Sequence, residues 1–169
     1  MLELVDSFED VHHFFIVTKW MQAGDLLNYL IKQKRQPLAE NHVRKIILQA
    51  ALGVQSLHKQ CIIHRDLKLN NIMMSDYTED AILRIGDLGS AIKLASKTET
   101  ADFQIGTAGY IAPEVMIGLP YSFSCDVWGL GCLMHTMLYA QCPFWDDDKR
   151  VRKLKVCSPD VHLDLHSKP

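Results

Sequence analysis

The run from Asp126 to Tyr139 is apolar on nearly every side of a helix, interrupted only by His135 and Thr136. A helix without a polar face has to sit inside a packed domain, so this one is expected to be central. It is too short and too interrupted for the roughly 20 apolar residues of a membrane span. A second helix is read from Glu40 to Gln60, where Val43, Ile46, Ile47, Ala50, Ala51, Val54, Leu57 and His58 recur at helical spacing. Arg44, Lys45, Gln49, Gln55 and Lys59 fall on its other faces. A chain of 169 residues is long enough for one domain with its own core around such a pair.

Smaller elements follow from local signals. Met1 to Glu9 and His13 to Thr18 have β character, and Asp10-Val11-His12 suits the turn of an antiparallel pair. Asp25 can cap a helix from Leu26 to Lys34, and Pro37 is expected to open the next one. Short hairpin-like pieces are expected at Ile62-Ile63, Ile72-Met73-Met74 and Ile82-Leu83-Arg84-Ile85. Asp87 to Glu114 is polar and mostly irregular, and a loop of that length usually has a task. Asp147 to Val156 reads as a last helix with acids at its start and bases at its end, which suits the helix dipole.

Composition excludes several classes. A net charge of -2 gives no general attraction to nucleic acid or an anionic membrane. The opening residues are too acidic for a secretory leader. Five cysteines without a CxxC pair suit neither a disulfide framework nor a zinc site, so free thiols in a reducing cytoplasm or nucleus are expected. His12, His13, His42, His135, His162 and His166 have no metal-ligand spacing and read as surface or packing residues. The basic run Lys149 to Lys155 reads as a solvated helix face rather than a nucleic-acid signal.

The chemistry is concentrated in His64-Arg65-Asp66-Leu67-Lys68-Leu69-Asn70-Asn71, followed by Asp87-Leu88-Gly89 and by Gly106-Thr107-Ala108-Gly109-Tyr110-Ile111-Ala112-Pro113-Glu114. Any one of these acids, lysines or amides could decorate a solvated turn. Together and in this order they resemble the catalytic loop, metal-binding turn and substrate loop of a eukaryotic serine/threonine protein kinase. The resemblance implies an α+β fold: a mainly helical large lobe with two strands of a small lobe and short hairpins, an incomplete domain. Residues 1–18 would be remnant small-lobe strands, 19–25 a hinge and 26–169 the large lobe, truncated at its end.

The resemblance also implies roles. Asp66 would accept or orient the proton of a serine or threonine hydroxyl on a protein substrate, and Lys68 would neutralise the transferring phosphoryl group. Asn71 and Asp87 would hold Mg²⁺, and ATP would be the donor. Thr107 would bridge Asp66 and Lys68. In the hinge, Thr18 would guard the back of the nucleotide pocket, while Lys19 and Met21 offered backbone groups to adenine. Asp25 would meet the ribose, and Leu26 and Met73 would sandwich the ring. Asp126 would bond the backbone of the catalytic loop, and His64 would pack in the core beside it. Arg65 would pair with a residue phosphorylated by an upstream kinase at Thr98 or Thr100, or with Asp102, or else satisfy local carbonyls. Glu114 would want an arginine from a helix beyond this chain. Leu88 departs from the usual phenylalanine, a change that some active kinases carry.

No glycine-rich loop, strand lysine or helix glutamate precedes the hinge. The chain alone is therefore expected to have little kinase activity, and its open sheet edge is expected to invite aggregation or a partner. Two alternatives stay open: a noncatalytic kinase-like scaffold, and, less suited to the substrate loop, a small-molecule phosphotransferase.

Overall fold

A computed structural model describes residues 1–158. Two antiparallel strands come first, β1 (Leu4–Glu9) and β2 (Phe14–Thr18). Asp10 closes the turn between them, its Oδ1 accepting the N–H groups of His12 and His13 at 2.7 Å each. Phe8 and Phe15 stack across the pair, ring centroids 4.8 Å apart. Every residue of both strands is nonetheless exposed. The hairpin is tied to the body through the Leu2 N–H, which donates to the Ile85 carbonyl at 2.7 Å.

The body begins with β3 (Gly24–Asp25) and α1 (Leu26–Lys32). Asp25 caps α1 as expected, accepting from the Asn28 N–H at 2.7 Å. The helix stops two residues before the expected Lys34. Lys34 and Arg35 take left-handed φ values of 56° and 53°, and the Arg35 N–H folds back to the Leu30 carbonyl at 2.8 Å. Pro37 does not open α2, which runs Glu40–Lys59. The Leu38 N–H is bonded to the Met137 carbonyl at 2.9 Å, and this tertiary bond keeps the chain extended until Glu40.

After α2 come β4 (Ile62–Ile63), a 3₁₀ turn (Leu69–Asn71), β5 (Ile72–Met74), β6 (Leu83–Ile85) and β7 (Ile92–Lys93). They form two small antiparallel sheets, β3-β5-β6 and β4-β7. The α3 turn (Pro113–Met116), α4 (Ser124–Tyr139) and α5 (Lys149–Cys157) complete the body. The main core joins Leu26 and Leu30 of α1, Val43, Ile46 and Ala50 of α2, the inner residues of β5 and β6, and Leu133 and Met137 of α4. Full burial of each such aliphatic side chain contributes about 1.5–3 kcal/mol. Gly129 of α4 faces the loop that carries Asp66, where an added Cβ would lie 3.1 Å from the Leu67 Cβ. This close approach lets the loop rest directly on the helix.

Two expectations are corrected here. Helix α4 is central on one side only, because Val127 and Met134 are 61% and 44% exposed. Helix α5 starts at Lys149 rather than Asp147, so Asp148 caps it and its first turn holds cations and no acid. His162 and His166 lie outside the described residues. Among the described residues no helix is long and apolar enough to cross a membrane.

Candidate active site

The loop from His64 to Asn71 is held from below by one carboxylate. Asp126, at the start of α4 and 1% exposed, accepts the His64 N–H and the Arg65 N–H at 2.9 Å each. Its Oδ2 also accepts from His58 Nε2 at 2.8 Å. These donors compensate the desolvation of a charge that would otherwise be costly to bury. The arrangement also holds Arg65 at a left-handed φ of 69°, which turns the chain toward Asp66.

Asp66 is surrounded by donors. Lys68 Nζ lies 2.7 Å from its Oδ2, and the Thr107 hydroxyl donates to its Oδ1 at 2.6 Å. Lys68 Nζ also donates to Thr107 Oγ1 at 2.9 Å, which closes a triangle of three side chains. Asn71 Nδ2 donates to the Asp66 carbonyl at 2.8 Å. Burial alone would raise the Asp66 pKa, but the Lys68 ammonium and the Thr107 hydroxyl outweigh it and hold the carboxyl below its ordinary 3.8. Asp66 is thus an ionised acceptor able to orient a hydroxyl.

Asp87 is brought to the same place through its neighbour. The Gly86 N–H donates to the Asn71 carbonyl at 2.8 Å, and His64 Nε2 donates to the Gly86 carbonyl at 3.0 Å. One backbone bond and one side-chain bond thus clamp residue 86 to both ends of the loop. His64 is fully buried, as expected. Asp87 itself has a left-handed φ of 53° and is exposed, with one oxygen accepting the Gly89 N–H at 3.1 Å. With its Nδ2 engaged, Asn71 keeps its side-chain oxygen. The Gly86–Asn71 bond therefore sets a carboxylate residue next to an amide residue along the backbone, and their side-chain oxygens are of the type that could hold a hard cation. Among the described residues no group of three or more His, Cys, Asp or Glu gathers into a metal cage. Two protein oxygens suit Mg²⁺, which keeps waters and phosphate oxygens as its other ligands.

Of the expected nucleotide-pocket residues, Asp25 and Met73 are tied to this centre through the β3-β5-β6 sheet. Asp25 pairs with Met73 in register, two residues after Asn71. The Lys19 N–H is used by the Glu3 carbonyl at 3.0 Å, and the Met21 carbonyl by the Gly24 N–H at 3.0 Å. The backbone groups left for a ligand are thus the Lys19 carbonyl and the Met21 N–H. Thr18 ends β2 and is exposed. Both Asp25 oxygens bond Asn28. Met73 is half-buried, but Leu26 is 0% exposed and packs wholly into the core, so it offers no surface to a ring.

Arg65 takes the local alternative. Its Nε donates to the Ser90 carbonyl at 2.6 Å and its Nη1 to the Tyr121 hydroxyl at 3.2 Å. The Tyr121 hydroxyl in turn donates to the Phe103 carbonyl at 2.7 Å, tying both ends of the long loop to the catalytic turn. Thr98 and Thr100 are exposed nearby. Glu114 has a weak contact from the Ser124 hydroxyl at 3.5 Å. Sequence reading missed His58 and Tyr121 as parts of this network. His58 lay within an apolar stripe, and its partner Asp126 is 68 positions away.

The family model described as the protein kinase domain matches residues 1–166. The serine/threonine-protein kinase Nek3 of Mus musculus is 32% identical over 157 residues, covering 93% of this chain and 30% of the mouse protein. The serine/threonine-protein kinase PLK4 of Nematostella vectensis is 39% identical over 166 residues, covering 98% of this chain and 17% of that protein. The serine/threonine-protein kinase PLK1 of Xenopus tropicalis is 33% identical over 162 residues, with 96% and 26% covered. The chain thus spans less than a third of the length of these curated relatives.

Proposed function

Because this chain belongs to the protein kinase family, we propose that its site transfers the terminal phosphoryl group of ATP to a serine or threonine hydroxyl of a protein. The observation that carries the reading is the Asp66-Lys68-Thr107 triangle, with the Asn71 amide bonded to the Asp66 carbonyl. The acceptor hydroxyl donates to Asp66, which stays ionised and aims the oxygen. As the new O–P bond forms, the bond from the terminal phosphorus to the bridging oxygen breaks, ADP leaves carrying that oxygen, and the hydroxyl proton passes to solvent. Lys68 places its charge where the transferring oxygens gather, and Thr107 fixes both partners. Asn71 and Asp87 hold Mg²⁺, which when bound screens the phosphate oxygens.

Residues 19–25 serve as the hinge of this reading. The Lys19 carbonyl and Met21 N–H take the adenine edge, Thr18 borders its far side, Met73 lies against the ring and Asp25 against the ribose. Leu26 is left out, being fully buried. The five free cysteines support a reducing compartment, cytoplasm or nucleus.

Calorimetry of the chain with Mg-ATP, beside phosphate transfer to a serine- and threonine-containing protein, tests this. Asp87→Asn should lose Mg²⁺-dependent nucleotide binding. Transfer by this chain alone should be weak, because no glycine-rich loop or strand lysine precedes residue 19, and Asp66→Asn should keep binding while lowering that transfer by a further factor of up to about 10²–10⁴, the usual worth of a positioned acid or base. Binding of Mg-ATP by the parent chain no tighter than by Asp87→Asn would overturn the reading.

A further inference from the structure

Helix α5 breaks the rule that cations belong at a helix C-terminus. Its nine residues, KRVRKLKVC, hold five cations, and Lys149 and Arg150 occupy the first turn, where the helix dipole disfavours them. Two of the five have visible partners. The Arg152 guanidinium lies 4.7 Å from the centre of the Trp145 ring, and Lys155 Nζ donates to the Trp145 carbonyl at 3.2 Å and to Asp146 Oδ2 at 2.9 Å. Among the described residues Lys149, Arg150 and Lys153 have no acid partner, and all three are exposed. Leu154, 69% exposed, stands beside them.

This cationic face is joined to the active site by direct contacts. Trp145, 47% exposed, flanks the substrate loop: a Cβ added to Gly109 would lie 3.5 Å from Trp145 Cε3. The Cys142 thiol donates to the Gly109 carbonyl at 3.2 Å, and the Trp145 N–H bonds back to the Cys142 carbonyl at 3.3 Å. Two residues before Gly109 stands Thr107, in contact with Asp66. A peptide with its hydroxyl at Asp66 would have to leave the site past Gly109 and Trp145 to reach α5. In a chain of net charge -2, the five cations of α5 outnumber the three acids Asp146, Asp147 and Asp148 that precede it, so among the described residues this corner carries a local charge of opposite sign to the whole.

We propose that Trp145 and the free cations of α5 form a docking surface for an acidic protein segment, selecting substrates with Asp or Glu near the phosphorylated residue. The inference rests on the kinase reading for its link to substrates. The half-exposed Trp145 and Leu154 among the cations favour a peptide, which brings apolar side chains as well as charge, over a nucleic acid.

Fluorescence polarisation on the full chain tests it, using a labelled serine-containing peptide rich in Glu beside the same peptide with Gln. The Glu peptide should bind about ten-fold tighter at low salt, the gap closing as salt rises. Lys149→Glu, Arg150→Glu and Lys153→Glu together should abolish the difference, and Trp145→Ala should weaken binding of the Glu peptide. A control with Lys34, Arg35 and Lys59 each changed to Glu should leave it intact. Equal binding of the two peptides, or equal loss in the control, overturns the proposal. So does a DNA oligonucleotide that binds as tightly and ignores Trp145→Ala. Mg-ATP calorimetry on the same samples separates the two readings: loss of nucleotide binding in the parent chain counts against the kinase site, whereas loss of the peptide preference alone counts against α5.

Discussion

One buried carboxylate decides the shape of the loop that carries Asp66. Asp126 takes the His64 and Arg65 N–H groups and is itself 1% exposed, out of contact with bulk solvent. Asp126→Ala would leave two buried donors unpaired at about 1–3 kcal/mol each. We expect a loss of about 3 kcal/mol or more in urea unfolding, with the Asp66 site disordered before the core. Burial also pushes the Cys125 and Cys132 thiols from 9.0 up to about 12, with Asp126 adding to the rise at Cys125 and Cys142 at Cys132. Tyr110 is pushed by burial from 10.0 up to about 12. Above pH 9 the unfolded chain releases protons that the folded one keeps, so the unfolded state binds fewer. Stability should be full below pH 9 and fall as pH rises toward 12, read as a declining urea midpoint. Cys132→Ala should flatten that decline, and a midpoint independent of pH would contradict the assignment. Asp66, Lys68 and Asn71 were legible because they share one short string. Thr107 joins them across 39 to 41 positions and could be placed only by resemblance to a known pattern.

At the scale of elements, the errors cluster at ends. The helix was expected to reach Lys34, but α1 is closed by left-handed Lys34 and Arg35, positions where a side chain is strained. Lys34→Gly should therefore stabilise the protein by up to about 1 kcal/mol, seen as a higher melting temperature. A lower one would show that Lys34 has a partner worth more than the strain. Pro37 misled for a different reason. A proline often opens a helix, yet here the Leu38-Met137 bond holds the segment extended. Helix α5 looked dipole-matched only while its start was set at Asp147. Moving the start to Lys149 turns its first turn cationic. Helix types and approximate spans were legible because periodicity averages over many residues. Their ends depend on single tertiary bonds.

For the whole molecule, the notable property is apolar surface left in the open. The hairpin exposes Phe14 by 66% and Ile16 by 65%, and the faces of α2 and α4 expose Leu48, Leu52, Val127 and Met134. Strand β2, with five uncharged residues and a free edge, is the element most ready to pair with another chain. Sedimentation should show concentration-dependent association of this chain, and Ile16→Lys should reduce it; unchanged association would place the contact on the helical face instead. The sequence by itself determined the periodic helices, the short strands and the order of the reactive residues, because these are local and repeat within a few positions. Only the tertiary structure decided that His58 joins Asp126 beneath the loop, that Gly86 carries Asp87 to Asn71, that Leu26 is sealed in the core and that α5 flanks the loop around Gly109. Those facts depend on which distant segments lose their water to one another, and no local pattern encodes that choice.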